Sequence, residues 1–337
     1  MGKEQAISRN GHSIFEISSL IQKALRRSDT RMALYASAEM LPKYRNYLWK
    51  RLLTVSAEDC HDMMTSKIMN LHEKDICGAN GWNNKPLEDA LSLLLAARKN
   101  RDADYMACNL FNSRNKREFS LDCGTDTFDP NSATKNGHNL FFLKDVFNHS
   151  IDLGDYDCAG YTANEIRVYY PNFCWDMIVR KASSFGLPEL LSEVVALKSA
   201  DKLTNFDNTL LFRSKAIVLM IGVKKNGLSY YKDDDSPEEY VNLSDAPTER
   251  LRLPDYVFDC HTYLGKSRGK TKRDFVKAEQ EALFPRKEGE FDSSSWERFF
   301  YMSKHGFWTD EYTPRPSKER IDEIENNKPI SLFDYEL

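Results

Sequence analysis

Apolar residues at Ile14, Ile17, Leu20, Ile21, Ala24 and Leu25 recur at spacings of three and four, and the same period returns along much of the chain. Only an α-helix gathers such positions onto one face that can be buried, so the pattern commits the chain to helices packed through apolar stripes. Ser13, with Glu16 three residues on, fits an N-terminal capping box for the first helix. A second helix is expected after Ser28-Asp29, through Met32, Tyr35, Ala36 and Met40, stopping near Pro42, which cannot continue the backbone ladder. A third carries Tyr44, Tyr47, Leu48, Leu52 and Val55, with Ser56 or Asp59 placed to cap a fourth. The Gly- and Asn-rich stretch at 78–84 reads as a loop, Pro86 suits the first turn of a fifth helix, and a sixth is expected around 105–110.

Residues 113–161 are rich in Asn, Asp, Gly, Thr and Ser, with one short apolar run at 140–146, which predicts an irregular connection. Helical periodicity returns at 163–182, 187–197, 209–223, 272–283 and 294–305, while 224–247 is polar and turn-rich. The stretch 251–271 is ambiguous between a short strand and a structured loop, and strand signals are sparse throughout. The expectation is a mainly α fold: a helical array over 1–112, a connection over 113–161, a second helical domain over 162–305 and an acidic tail over 306–337. A length of 337 residues is compatible with two domains at roughly 150 each.

Charge narrows the function classes. Forty-seven basic against 51 acidic residues give a net charge of −4, which excludes a uniformly basic nucleic-acid coat and makes a polyanion partner depend on a local patch. No run approaches the roughly 18–20 apolar residues needed to span a bilayer, and the first residues lack the apolar core of a signal peptide. Seven widely spaced cysteines without a Cys-x-x-Cys pair argue against a disulfide framework, so a reducing, cytoplasmic location is expected.

Lys266, Arg268, Lys270, Lys272 and Arg273 fall within eight residues and form the first candidate contact for phosphates. They overlap Gly265-Lys-Ser-Arg-Gly269-Lys270-Thr271, which ends like a P-loop but has three residues between its glycines where that loop has four, so its amides would not wrap a phosphate in the same way. A second basic region comprises Lys23, Arg26, Arg27, Arg31, Lys43, Arg45, Lys50 and Arg51, either a DNA-facing side, an interface for an acidic partner or an exposed helix face. Cys60, His61, His72 and Cys77 are zinc-ligand types, but their spacing matches no common module, and no metal or cofactor is expected. Asp259 and His261 flank Cys260; on a strand the first two would share one face and Cys260 the other, so convergence would need a bend. In the C-terminal tail, Ile330, Ser331, Leu332 and Phe333 resemble the short peptide with which bacterial proteins bind the sliding clamp.

FEISSLIQKALRRSDTRMALYASAEML followed by YLWKRLLTVSAEDC resembles the helical region after the ATPase domain in the RarA/MgsA family of clamp-loader-like AAA+ ATPases. The matching elements are the helix ending before Ser28-Asp29, the Ala33-Leu34-Tyr35 step, and Lys50-Arg51-Leu52 leading to Ala57-Glu58-Asp59. A later match, ALSLLLAARKNRDADYMA, departs at Arg98, where the family has proline, and at Asn100-Arg101, where it has Ser-Asn. The resemblance implies a collar-like unit that assembles into tetramers, with Leu34, Tyr35 and Leu52 at the oligomer contact, and association with replication or repair machinery in a bacterium or phage. The family's Walker motifs and arginine finger have no counterpart, so no independent ATPase activity is expected. The chain is thus expected to be a non-catalytic, homo-oligomeric, replication- or repair-associated protein that binds DNA or replication proteins, including a sliding clamp. The alternatives are an enzyme acting on nucleic acid through Asp259, His261 and Lys266, and an adaptor or inhibitor of a host replication ATPase.

Overall fold

The computed structural model describes residues 6–77, 83–109, 119, 123–204, 210–232, 237, 240–270 and 272–289. These divide into two compact units, one formed by 6–100 together with 237–288, the other by 101–232 together with 289. Both are helical, and among the described residues β-pairing is confined to isolated bridges. None of the described helices is long and apolar enough to cross a membrane.

The first unit begins with α1 (Ile14–Arg26), α2 (Thr30–Met40), α3 (Arg45–Glu58), α4 (Thr65–Cys77) and α5 (Lys85–Ala96). The α1 stripe Ile14, Ile17, Leu20, Ile21, Ala24 and Leu25 is buried, as its spacing requires. Asp29 caps α2 by accepting from the Met32 amide at 3.1 Å. The expected capping box of α1 does not form: Ser13 makes no side-chain cap bond, and its carbonyl instead takes the Glu16 and Ile17 amides. Ser56 and Asp59 do not cap α4 either, because α3 runs on through Ser56 and Asp59 turns inward to a buried arginine.

After a long excursion the chain returns to this unit. The backbone of Lys99 donates to Pro285 O at 2.7 Å and accepts from Lys287 N at 2.9 Å, while Phe284 N reaches Arg26 O at 3.1 Å. Leu34, Tyr35 and Leu52, expected at an oligomer contact, lie inside the unit's own core. Tyr35 is further committed by its hydroxyl, which meets His12 Nε2 at 2.9 Å and accepts from Leu251 N at 3.1 Å.

The second unit contains α6 (Asp102–Asn109), α7 (Leu140–Leu153), α8 (Tyr156–Tyr169), α9 (Pro171–Ser183), α10 (Pro188–Thr204) and α11 (Leu210–Asn226). α11 is buried on nearly every side and forms its centre, against α6, α8 and α10. Asp201 of α10 accepts from Trp175 Nε1 at 2.6 Å and from Arg213 at 2.8 Å, which partly offsets the burial of these polar groups. Two expectations change here. The span 113–161 carries a full helix, α7, capped by Asn139 and closed by Gly154 at φ 74°, and the periodic stretch at 163–182 breaks into α8 and α9 at Pro171.

Burial holds the imidazoles of His12 and His72 below the usual histidine value of 6.5. Between that value and their lowered folded values the unfolded chain binds protons that the folded chain does not, so stability falls on acidification below about pH 6.5, by at most about 1.4 kcal/mol per pH unit per histidine. Urea midpoints at pH 7.5 and 5.5 test this. A His72→Phe variant, which keeps a ring beside Trp49, should show a shallower slope, and an unchanged slope would discard the assignment.

Candidate functional site

Residues 250–270 wrap α1 within the first unit. Arg250 to Pro254 has no regular secondary structure, a 3-10 turn spans Asp255–Val257, a turn follows at 259–262, and a short helix, α12 (Tyr263–Ser267), ends at Gly269 with φ 72°. One edge of α1 grips this segment: Ser19 and Lys23, one turn apart, both donate to Val257 O at 3.1 Å, and Lys23 also pairs with the Asp259 carboxylate. Tyr256 donates to Asp29 at 2.9 Å and lies under the Arg27 guanidinium at 4.5 Å.

The turn is built by short-range bonds. Asp259 Oδ1 accepts from the His261 amide at 2.8 Å, Thr262 Oγ1 donates to Asp259 O at 3.0 Å, and the same hydroxyl caps α12 by accepting from Gly265 N at 3.1 Å. α12 then crosses so close to Asp259 that a Cβ on Gly265 would lie 1.9 Å from that residue's carbonyl oxygen. Gly265 therefore serves close packing rather than phosphate wrapping. The amides of Lys266, Arg268, Gly269 and Lys270 are likewise used inside the helix and its C-terminal turn, so the glycine-lysine stretch is not a P-loop.

The bend that the sequence lacked is supplied by this turn. Donor atoms of Asp259, Cys260 and His261 lie within 4.8 Å of one another. Cys260 is buried, whereas the His261 ring is half exposed and meets the edge of Phe275 at 4.7 Å between centroids. Lys23, not Lys266, is the amine at Asp259. Burial lowers the Lys23 ammonium to about 8 against the attraction of Asp259. For Asp259, burial pushes the carboxyl up but is outweighed by hydrogen bonds from His261 and by the charge and hydrogen bond of Lys23, which hold it well below the ordinary carboxylate range.

Two clefts meet at Glu16, separated by α12. One, of about 770 Å³, is lined by Phe15, Lys23, Tyr47, Arg51, His261 and Tyr263 among others. The second, of about 690 Å³, has Arg250, Arg252 and Arg268 around Leu264 and Phe258. Tyr263 is 90% exposed and Phe15 72% exposed, and both line the first cleft. Lys266 lies three residues from Tyr263 on α12, on the same side of the helix. Arg268 and Lys270 share Asp255, at 2.8 and 3.2 Å, in exposed pairs that bind loosely and leave cationic charge available. Arg250 and Arg252 are exposed and make no hydrogen bond or ion pair with a described residue.

The basic turn thus acquires members that sequence reasoning missed: Arg250, Arg252, Tyr263 and Phe15. The alternation Arg250-Leu251-Arg252-Leu253, which in an extended segment puts two cations on one side and two leucines on the other, was the available signal. The side chains of Lys272 and Arg273, and the tail motif Ile330, Ser331, Leu332 and Phe333, lie outside the described residues. The other basic region is split: Lys23, Arg26 and Arg45 are buried, the last between Asp75 and Asn84, whereas Arg31 and Lys43 are exposed and Arg27, Lys50 and Arg51 half-buried. Cys60 and His61 are internal, His61 Nδ1 pairs with Asn100, and His72 packs on Trp49, which disperses the residues of zinc-ligand type between 60 and 77 that can be described.

No protein-family model, no curated protein and no solved structure matches this chain.

Proposed function

We propose that the chain binds single-stranded nucleic acid across α12, with Tyr263 and Phe15 as stacking platforms and Arg250, Arg252, Lys266, Arg268 and Lys270 as phosphate contacts. The observation that carries this is a nearly fully exposed tyrosine on a short helix that also carries Lys266 and runs into Arg268. Base stacking on an aromatic ring contributes about 1–3 kcal/mol per base and tolerates any sequence. The cations add affinity by releasing counterions. Replication or repair is the setting suggested by the family resemblance at 15–41 and 47–60. Homo-oligomer formation and docking on a sliding clamp through Ile330 to Phe333 belong to the same proposal.

Fluorescence anisotropy with a labelled single-stranded oligonucleotide tests it. Affinity should fall steeply as salt rises, and Lys266→Ala with Arg268→Ala should reduce the steepness by about 0.7 for each phosphate that is no longer neutralised. Tyr263→Ala should weaken binding by about 5- to 150-fold, the equivalent of about 1–3 kcal/mol, with little change in salt dependence. Absence of binding at low salt, or indifference to all three substitutions, would remove the assignment.

A further inference from the structure

We infer that Asp259, Cys260 and His261 form a binding site for a divalent cation of the zinc class, held by one carboxylate oxygen, the thiolate and imidazole Nδ1, with a fourth position open to the cleft. The site is a separate feature of the same segment and does not depend on nucleic-acid binding.

Zinc bonds of about 2.0–2.3 Å arranged tetrahedrally place neighbouring O, N and S ligand atoms about 3.3–3.6 Å apart. Here Cys260 Sγ lies 3.6 Å from His261 Nδ1, and that nitrogen lies 3.5 Å from Asp259 Oδ1. The remaining edge lies within the 4.8 Å spread of the trio and must shorten on binding, and the imidazole, whose Nδ1 and Nε2 lie 3.6 and 3.8 Å from Sγ, must turn to aim the Nδ1 lone pair at the ion. Among the described residues, no other group of three or more His, Cys, Asp and Glu donors converges in this way.

The surroundings fit the donor set. The second carboxylate oxygen of Asp259 is held by Lys23, and Oδ1 is steadied by the His261 amide, the kind of outer bonding that orients a ligating carboxylate. Thiolate, carboxylate and neutral imidazole cancel the two charges of the cation, so the adjacent ammonium faces a neutral complex. A mixed S, N, O set favours zinc or cobalt over magnesium or calcium, which prefer all-oxygen shells. Three protein ligands leave one position for water or an incoming oxygen, and the 770 Å³ cleft that Asp259 and His261 line provides access and room. Binding releases the thiol proton to solvent, so affinity should rise with pH as the thiol and imidazole lose their protons.

The test uses the purified full chain, stripped with chelator and titrated with zinc by calorimetry and with cobalt by absorption. One equivalent of cobalt should give tetrahedral d–d bands and a thiolate-to-cobalt charge-transfer band. Cys260→Ser should abolish the charge-transfer band, and His261→Ala should lower zinc affinity at least about tenfold. Cys60→Ser should leave both unchanged. A wild-type cobalt spectrum without the charge-transfer band overturns the site, and this holds even if a variant fails to fold. So does a band that survives in folded Cys260→Ser.

Discussion

Gly265→Ala is expected to break the Asp259–Thr262 turn and, with it, both binding surfaces of the segment. The added Cβ would lie 1.9 Å from the Asp259 carbonyl oxygen, 2.5 Å from its carbonyl carbon and 2.7 Å from its amide nitrogen. These are backbone atoms, already fixed by the Lys23 ion pair and the Thr262 cap, so no side-chain rotation relieves the overlap. α12 must lift away, at a cost of at least about 1–3 kcal/mol, the usual range for forcing extra volume into a packed site. Two measurements follow: the urea midpoint should drop and oligonucleotide affinity should fall towards that of Tyr263→Ala. Ser267→Ala, on the exposed side of the same helix, is the control and should change neither. If Gly265→Ala matches wild type in both, the close approach of α12 to Asp259 is wrong.

The second large effect concerns Arg26. This side chain is almost wholly buried, with Nε and one terminal nitrogen on the two oxygens of Asp59 at 2.9 and 3.1 Å, Glu58 at 3.5 Å, and Glu279 of α13 (Lys272–Glu281) in direct ion contact. Removing one member of a buried ion pair leaves charge without its counter-charge and costs about 3–5 kcal/mol, so Arg26→Met should lower stability by that order. Arg26→Lys should also lose stability, because an ammonium cannot reproduce the two parallel bonds of the guanidinium. Combining Arg26→Met with Asp59→Leu should recover part of the loss, since an apolar pair often replaces a buried ionic one at little cost. Denaturant unfolding of the three variants measures this, and a near-neutral Arg26→Met would show that the network contributes little.

These two residues mark where local pattern stops being informative. Gly265 looks like a phosphate-loop glycine because Lys270 and Thr271 follow it, and only the path of α12 over Asp259 gives it another role. Lys23 and Arg26 look like the exposed side of an amphipathic helix because Lys and Arg are almost never buried unless paired. Their partners are distant in sequence: Asp259 is 236 residues from Lys23, and Asp59 is 33 from Arg26. No window of local periodicity can hold such pairs together.

α7 was hidden for a different reason. Its Asn139 cap and Gly154 terminator are the residues that signal helix ends, yet inside a long polar stretch they add to the composition of a loop. The convergence of Asp259, Cys260 and His261 is not legible in the sequence, because a strand separates alternate residues by face, whereas an Asx turn gathers them.

By itself, then, the sequence determined the helical class, the positions of α1, α2, α3 and α5, and the cationic turn at 266–270, all of which follow from spacing, caps and charge within one or two helical turns. The tertiary structure alone decided which charges are internal, why Gly265 must be glycine, and that Arg250 and Arg252 line one cleft with Arg268 while Tyr263 lines the other. Those outcomes depend on segments returning across hundreds of residues to satisfy one another's buried polar groups, a condition set by packing in three dimensions and not written in any local stretch of chain.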